Sequence, residues 1–582
     1  MSTPITQAPT QAQLALERAR ERLLALQDEA GWWKGELQTN VTMDAEDILL
    51  REFLGIRDEQ ETERSATWIR SQQRSDGTWS NFHDGPGDLS TTIEAYWALK
   101  LAGDDPAAEH MHTAAAFIRE HGGIERARVF THVWMALFGL WPWEQVPALP
   151  PEVVLLPSWV PLNIYDFACW ARQTIVALAL VIAHRPCRTL PLDLDELHGA
   201  EPWTPSAPTS ARGRWLARLE ALLKAYERHP LRPLRKLAMA RAERWIVRRQ
   251  EADGSWGGIQ PPWVYSLMAL HLQGYPLDHP VMRRGIEGID GFMVEDHDDS
   301  VGVGAPAGPS RRLEACQSPV WDTALALVAL ADAGLGADHP ALVSAGRWLL
   351  EEEVSISGDW EVARAGLQPG GWAFEFHNDN YPDVDDTAEV VLALGRVNTG
   401  DPRQQPAIDR AVRWVEGMQS AGGGWGAFDA DNTRALVRDL PFLDFGEVID
   451  EPSADVTAHT LEMFAALGLQ HTPLVQAGMG WLIAQQEPGG SWFGRWGVNH
   501  IYGTGAVLPA LIACGLPASD QSIRRAIEWL EAHQNEDGGW GEDPRSYDED
   551  AWIARGPSTA SQTAWALLAL HAAGERSSAV QR

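Results

Sequence analysis

QEADGSW, residues 250–256, closes the helical stretch RWIVRRQ on a glutamine, turns on a glycine and ends on a tryptophan. The same Q-x3-G-x-W spelling recurs as QDEAGWW (27–33), QRSDGTW (73–79), QSAGGGW (419–425), QEPGGSW (486–492) and QNEDGGW (534–540). RWLLEEEVSISGDW, at 347–360, reads as a degenerate copy ending on Trp360. Helical stretches such as RWVEGMQ and GWLIAQQ lead into the copies. Apolar helical segments such as TTIEAYWALKLAG and DTALALVALADAG follow them. Each unit therefore reads as helix, glycine turn, helix, and such units bury their apolar faces only by stacking on neighbours. The glutamine can hydrogen-bond backbone at a helix end, and the tryptophan ring can lie over it, clipping unit to unit. No run of alternating strands interrupts the pattern, so the predicted class is all-α. The repeat also explains the composition: 28 Trp against 14 Phe and 8 Tyr. The motif tryptophans are assigned to architecture rather than chemistry.

At 582 residues the chain is too long for one ordinary core, so two or more domains are expected. A formal net charge of −33 argues against nucleic acid as a partner. The four cysteines, Cys169, Cys187, Cys316 and Cys514, form no CxxC pair, which fits a reducing compartment and speaks against a cysteine-built zinc site. The N-terminal MSTPITQAPTQAQLALERARERL lacks the apolar core of a signal peptide. TIVALALVIA, at 174–183, is too short to span a bilayer and reads as a buried helix. One region runs against the acidic trend: residues 212–249 hold 12 Lys/Arg and 3 Glu. Trp215, Leu219, Leu222 and Tyr226 fall on one face of a helix there, with Leu216 and Leu223 alongside. A basic amphipathic helix with Trp at its apolar edge suits an anionic membrane surface, or else forms a solvated face over the core.

PDVDDTAEV, residues 382–390, places Asp383, Asp385, Asp386 and Glu389 within seven positions, with no Lys or Arg among them. Crowded carboxylates raise one another's pKa, so the cluster is expected to hold a proton at neutral pH. Three readings compete. Pro382–Asp383 precedes TAEVVLALG, so Asp383 can be a helix N-cap, which accounts for one or two of the acids. DDTAE, at 385–389, can present carboxylates to magnesium, although no phosphate loop or second acidic motif accompanies it. Or one Asp is a Brønsted acid whose anion is tolerated by its neighbours after the proton leaves.

DVDDTA together with the repeated Q-x3-G-x-W resembles the squalene–hopene cyclases, the bacterial class II triterpene cyclases. NVTMDAE (40–46), PLNIYDFACWAR (161–172), GSWGGIQPPW (254–263), SPVWDT (318–323), DFGEVIDEPSADVTAH (444–459) and SWFGRWGVNHIYGTGAV (491–507) resemble the same family. The likeness runs from about residue 20 to residue 570. It implies two α–α barrel (toroid) domains with the cavity between them. One spans 20–290 and carries the basic, membrane-facing helix. The other spans 291–582 and carries DVDDTA, with 1–19 packing on that side. It implies Asp385 as proton donor, flanked by Asp383 and Asp386, with His459 polarising it and Asp455 beside it. It places Glu46 in a water network at the far end of the cavity. Trp170, Ile259, Trp321, Phe374, Phe442, Phe445, Trp496 and Tyr502 match cavity walls. The implied substrate is squalene or a related polyprenoid, with no cofactor and no metal. A monotopic homodimer on the cytoplasmic side of the inner membrane is implied as well.

These roles suit the chemistry. An alkene is a very weak base, so its acid must be strong, and a charged imidazole on the donor makes it stronger. A carbocation needs aromatic faces and no water.

Three departures from the family stand out. Phe428, in GGGWGAFDADN, occupies a cavity position where the family often has Tyr. Residues 293–316 read as a polar loop in place of another Gly–Trp copy. The chain ends soon after SQTAWALLALHAAG, short of a further family repeat and an aromatic tail. An opened barrel wall is the expectation there, with early termination of the cation. Two further readings follow from it: a cyclase of shorter polyprenoids, and an isoprenoid- or membrane-binding homologue that does not cyclise.

Overall fold

The computed structural model describes residues 10–204, 211–296, 308–440, 446–577 and 580. Helix is the main secondary structure of the described residues, and the chain forms two compact units. One comprises Met1–Gly35, Gln317–Asp431 and Glu451–Arg582; the other comprises Glu36–Cys316 and Asn432–Asp450. The boundaries expected at 20 and 290 thus fall at Glu36 and Cys316. The stretch 432–450, expected in the C-terminal barrel, is packed with the N-terminal unit. Long-range bonds account for this: Ala168 N–H donates to Val448 O (2.9 Å), and Arg434 pairs with Asp166 (3.0 Å).

In the DVDDTA unit five helices neighbour one another in succession: Pro319–Asp332, Val384–Leu394, Ala454–Ala466, His500–Ala513 and Ala560–Ala572. Every residue of Val384–Leu394 is buried. Around them lie amphipathic outer helices such as Gln521–Ala532, which buries Ile523, Ala526, Ile527 and Leu530 at three- and four-residue spacing. The other unit repeats the scheme. Its inner helix Cys169–His184 contains TIVALALVIA and is buried over nearly its whole length, as expected. No helix among the described residues is long and apolar enough to cross a membrane.

The repeat works through three fixed hydrogen bonds. The motif Trp Nε1–H donates to the carbonyl ten residues earlier: Trp79 to Ile69, Trp256 to Ile246, Trp425 to Val415, Trp492 to Leu482, Trp540 to Leu530. Its backbone N–H donates to an inner-helix threonine, as in Trp425 to Thr457 Oγ1 (3.0 Å). The Gln Nε2 donates twice, to the motif Gly carbonyl and to the second residue of an outer helix. Gln419 reaches Gly423 O (2.7 Å) and Leu474 O (3.0 Å), and Gln486 reaches Gly490 O and Ser522 O (both 2.8 Å). A helical carbonyl has a second lone pair, so it accepts the side chain without losing its helix bond.

The seventh copy differs from its sequence reading. Trp372, not Trp360, donates to Leu349 O (2.6 Å) and, through its backbone, to Thr387 Oγ1 (3.0 Å). Glu353 stands in for the glutamine and grips Arg410 of the helix Gln404–Met418 with both oxygens (2.6 and 2.7 Å). An insertion between Glu353 and Gly370 hides the spacing, and Trp360 packs edge-on against Trp414 instead. Met293–Asp296 and Ser310–Leu313, within the expected polar loop, pair as antiparallel strands; 297–307 lie outside the described residues.

The motif glycines carry positive φ and sit against a neighbouring helix. Gly254 has φ +93°, and a Cβ there would run into the Arg284 carbonyl. Gly103 has φ +112° and open space around it. Gly254→Ala should therefore cost at least about 2 kcal/mol and Gly103→Ala about 1 kcal/mol. Thermal melts of the two variants check this: equal losses would mean the helix contact contributes nothing.

Candidate active site

The threonines that hold the motif tryptophans set a register for the site. They are Thr323, Thr387, Thr457, Thr504 and Thr563, one on each inner helix. Residues two before and two after each lie four apart, hence on one helix face, turned roughly 160° from the threonine. The preceding positions are Trp321, Asp385, Asp455 and Tyr502, then Ser561. The following positions include Glu389, His459 and Trp565. The repeat that fixes the scaffold thus directs the chemically distinctive residues away from the outer helices.

Asp383 is the N-cap of Val384–Leu394, its Oδ1 accepting from the backbone N–H of Asp385 (2.6 Å) and Asp386 (3.3 Å). The capping reading is correct for this residue and leaves the other acids to be explained. Asp385 Oδ1 lies 2.7 Å from His459 Nδ1, and Glu389 Oε1 lies 4.0 Å from the same nitrogen. All three side chains are buried. Burial opposes charge on His459, but Asp385, Glu389 and Glu462 overcome it and push the imidazole up to about 10. At neutral pH the ring is a cation, and its Nδ1–H donates to Asp385. Asp386 is pushed well above the usual carboxylate range by burial and by Asp383, Asp385, Glu375 and Glu389. Burial raises Glu389 to about 7 against the pull of His459. The cluster therefore retains a proton at neutral pH, as the spacing in the sequence suggests.

Asp455 is also raised, by burial and by the charge of Asp385. Its Oδ2 accepts from the backbone N–H of Arg495 (2.9 Å) and Trp496 (2.7 Å). Its Oδ1 and His459 Nε2 have no hydrogen-bond partner among the described residues. Rings enclose the histidine: Trp321 at 6.0 Å, Tyr502 at 6.3 Å and Trp565 stacked at 5.9 Å. Tyr502 meets Trp565 edge-to-face at 5.0 Å. Sequence reasoning missed Trp565, although its place two residues after Thr563 matches that of His459 after Thr457. Phe428 meets Trp496 edge-to-face at 5.9 Å, and Phe374 is half-buried in the same unit. Phe442 and Phe445 lie outside the described residues.

The other expected residues belong to the other unit. Glu46 accepts from Gln260 Nε2 (3.1 Å). Burial and the charge of Glu94 raise it to about 8, so it holds its proton at neutral pH. Glu94 is itself raised by burial, against Arg128 and its hydrogen bond from Thr131. Tyr265, buried beside both acids, is pushed well above its ordinary value. Glu94 and Tyr265 were not singled out from the sequence; Glu94 is the sole acid of the helix Leu89–Ala102, and Tyr265 sits in the largely apolar helix Gln260–Leu272. Trp170 Nε1–H donates to Glu447 O (3.0 Å), and Ile259 caps Gln260–Leu272.

A buried aspartate held by a charged histidine among aromatic rings thus sits on a scaffold of repeated helices. Residues 16–298 match the squalene–hopene cyclase N-terminal domain and residues 317–582 the C-terminal domain. The chain is 46% identical to the squalene–hopene cyclase of Alicyclobacillus acidocaldarius, covering 100% of this chain and 91% of that one. It is 39% identical to the Zymomonas mobilis squalene–hopene cyclase (97% and 86%). To the dammaradiene synthase of Dryopteris crassirhizoma it is 37% identical (96% and 84%). The ent-copalyl diphosphate synthase of Streptomyces platensis shares the fold, with TM-score 0.51 and 19% identity over 97% of this chain and 90% of that one. The chain belongs to the squalene–hopene cyclase family, and it is a class II triterpene cyclase.

Proposed function

We propose that this enzyme protonates a terminal alkene of squalene from Asp385 and carries the resulting cation through successive ring closures to hopene and hopanol. The 2.7 Å contact between buried Asp385 and cationic His459 carries this reading. A cation bonded to one carboxyl oxygen weakens the hold of the group on a proton at the other. That proton adds to the alkene carbon, and the π electrons of the next alkene close each ring. Loss of a proton from the last cation gives hopene, and capture of water gives hopanol. Protons balance, so no cofactor enters. Trp321, Tyr502 and Trp565 offer ring faces beside the donor, each worth about 0.5–2 kcal/mol to a nearby cation. The indole nitrogens have their lone pairs in the aromatic system, and burial with nearby carboxylates keeps the Tyr502 phenol protonated, so no phenolate stands ready to end the cascade.

Similarity to cyclases named for hopene and to one named for dammaradiene means that family membership alone does not choose the product. Incubation with squalene in detergent, followed by mass spectrometry, tests the proposal. A pentacyclic isomer of squalene with its hydrate is expected. Cyclisation of a shorter polyprenoid while squalene is left untouched would overturn the substrate.

An insoluble substrate favours a membrane surface as the working place, on the cytoplasmic side, with 212–249 as the contact. Helix Ala211–Arg228 supports this in a form different from the single apolar stripe expected. Leu216 is buried and Tyr226 bonds Glu152 (2.6 Å), whereas Trp215 (50%) and Leu222 (68%) point outward among arginines.

A further inference from the structure

Helix Arg232–Val247 takes no part in the chemistry above, yet it presents one continuous exposed face. Leu234, Leu237, Arg241 and Arg244 follow three- and four-residue spacing, and Arg248 continues the line just past the helix end. Together they fall within an arc of roughly 80°. Leu234 and Leu237 are 39% and 53% exposed, and Leu231, just before the helix, is 63% exposed. The turn Pro151–Leu155 packs beside this helix, and Trp159, shortly after it, is 75% exposed. One end of the face is therefore apolar and the other cationic.

The cationic end borders a cleft of about 260 Å³ lined by Tyr165, Arg241, Arg244, Trp245, Arg248 and Arg249. Among the described residues no carboxylate lines it. Arg241, Arg244 and Arg248 have no ion-pair partner among the described residues; Arg244 Nε donates only to Ala240 O of its own helix (3.0 Å). Arg235, on another face of the helix, is by contrast held by Glu152 (2.8 Å) and Glu227 (2.5 Å). Behind the arginines the aromatic walls carry more positive charge. The Arg249 guanidinium lies 3.8 Å over the Trp245 ring, and buried Arg172 lies 4.9 Å over Tyr165. Guanidinium groups grouped without carboxylates suit an oxyanion with several acceptor oxygens, and phosphate is the common biological example.

We propose that Arg241, Arg244 and Arg248, walled by Tyr165 and Trp245, form a phosphate-binding site that seats the headgroup phosphate of an anionic lipid. Leu231, Leu234 and Leu237 enter the acyl region beneath it. The site rests on the membrane reading above and gives it an orientation and a ligand. Seven residues separate Leu237 from Arg244, about 10 Å along the helix axis, which a tilt of roughly 40–60° from the membrane normal fits to a headgroup layer roughly 5–8 Å deep. The leucines favour a lipid over dissolved phosphate, because exposed apolar side chains gain from burial only where acyl chains cover them.

Flotation of the full chain with phosphatidylcholine vesicles containing a fifth phosphatidylglycerol is the test, with a pocket triple variant, R241Q/R244Q/R248Q, beside a control, R214Q/R218Q/R228Q. The control removes equal charge from the preceding helix. The pocket triple should bind about 100-fold more weakly than the unaltered chain, and at least about tenfold more weakly than the control. Equal losses in the two triples would overturn the site while leaving the membrane reading intact. Absence of vesicle binding by the unaltered chain would overturn both. In that case inorganic phosphate, titrated against tryptophan fluorescence, reports whether the arginines hold an anion from solution, which would also contradict the lipid assignment. Circular dichroism of both triples shows that exposed substitutions have left the fold in place.

Discussion

Asp385→Asn should lower the rate of cyclisation at least about 10⁴-fold, the upper end of what a single general acid contributes. Asparagine is nearly isosteric and can still accept from His459, so the 2.7 Å contact and the buried packing survive. What is lost is the transferable proton, and water at neutral pH is no substitute acid toward an alkene. Squalene binding and the helical circular-dichroism signal should be unchanged. Retention of a tenth of the activity would remove Asp385 from the donor role and pass it to another acid of the cluster, with Asp386 or Glu389 next to be tested.

His459→Gln should cost about 10²–10³-fold. A unit charge about 4 Å from the donor, at an effective dielectric near 20, changes the energy of proton loss by about 4 kcal/mol, and part of that reaches the transition state. The amide can keep a hydrogen bond to Asp385 without the charge. The carboxylates then hold their protons more tightly, so the variant folds but its acid is weaker. The pH profile carries a second signature. A raised imidazole pKa gives a contribution that is present below 6.5 and lost as pH climbs through about 10. Wild-type activity should therefore fall on an alkaline limb toward pH 10, and the variant should lack that limb. His500 titrates nearby, raised to about 9 by Glu487 and Glu542 against the effect of burial. Its loss has the same sign but weakens the clamp between the turn at Glu487 and the loop at Glu542, so it registers in melting temperature rather than in chemistry alone. An unaltered alkaline limb in His459→Gln would assign the limb to His500 and leave the polarising role without support.

Much of this arrangement is legible in the sequence because the repeat is local. A glutamine, a glycine and a tryptophan at fixed spacing specify hydrogen bonds whose partners lie within ten residues or at the start of the next outer helix. The crowding of carboxylates was legible for a similar reason: Asp383, Asp385, Asp386 and Glu389 fall within seven positions of one local stretch. What escaped depends on register across helices. Trp565 is an ordinary aromatic until Thr563 is seen to bond Trp540, which places it where His459 stands in another repeat. Trp372 was hidden by the insertion after Glu353, and the ion pair with Arg410 replaces a bond that the motif would have announced with glutamine. The placement of 432–450 with the N-terminal unit follows from bonds to residues some 270 positions away, which no local pattern encodes.

Cyclisation of squalene in deuterium oxide tests the proposed protonation most directly, because that proposal makes the first new bond one to the enzyme's proton. Carboxyl and imidazole protons exchange with solvent before each turnover. The product should carry one deuterium at the carbon of the alkene that was first protonated, and Asp385→Asn should yield no labelled product. A cyclised product without deuterium at that carbon would contradict protonation by an exchangeable acid and, with it, the role given to Asp385 and His459.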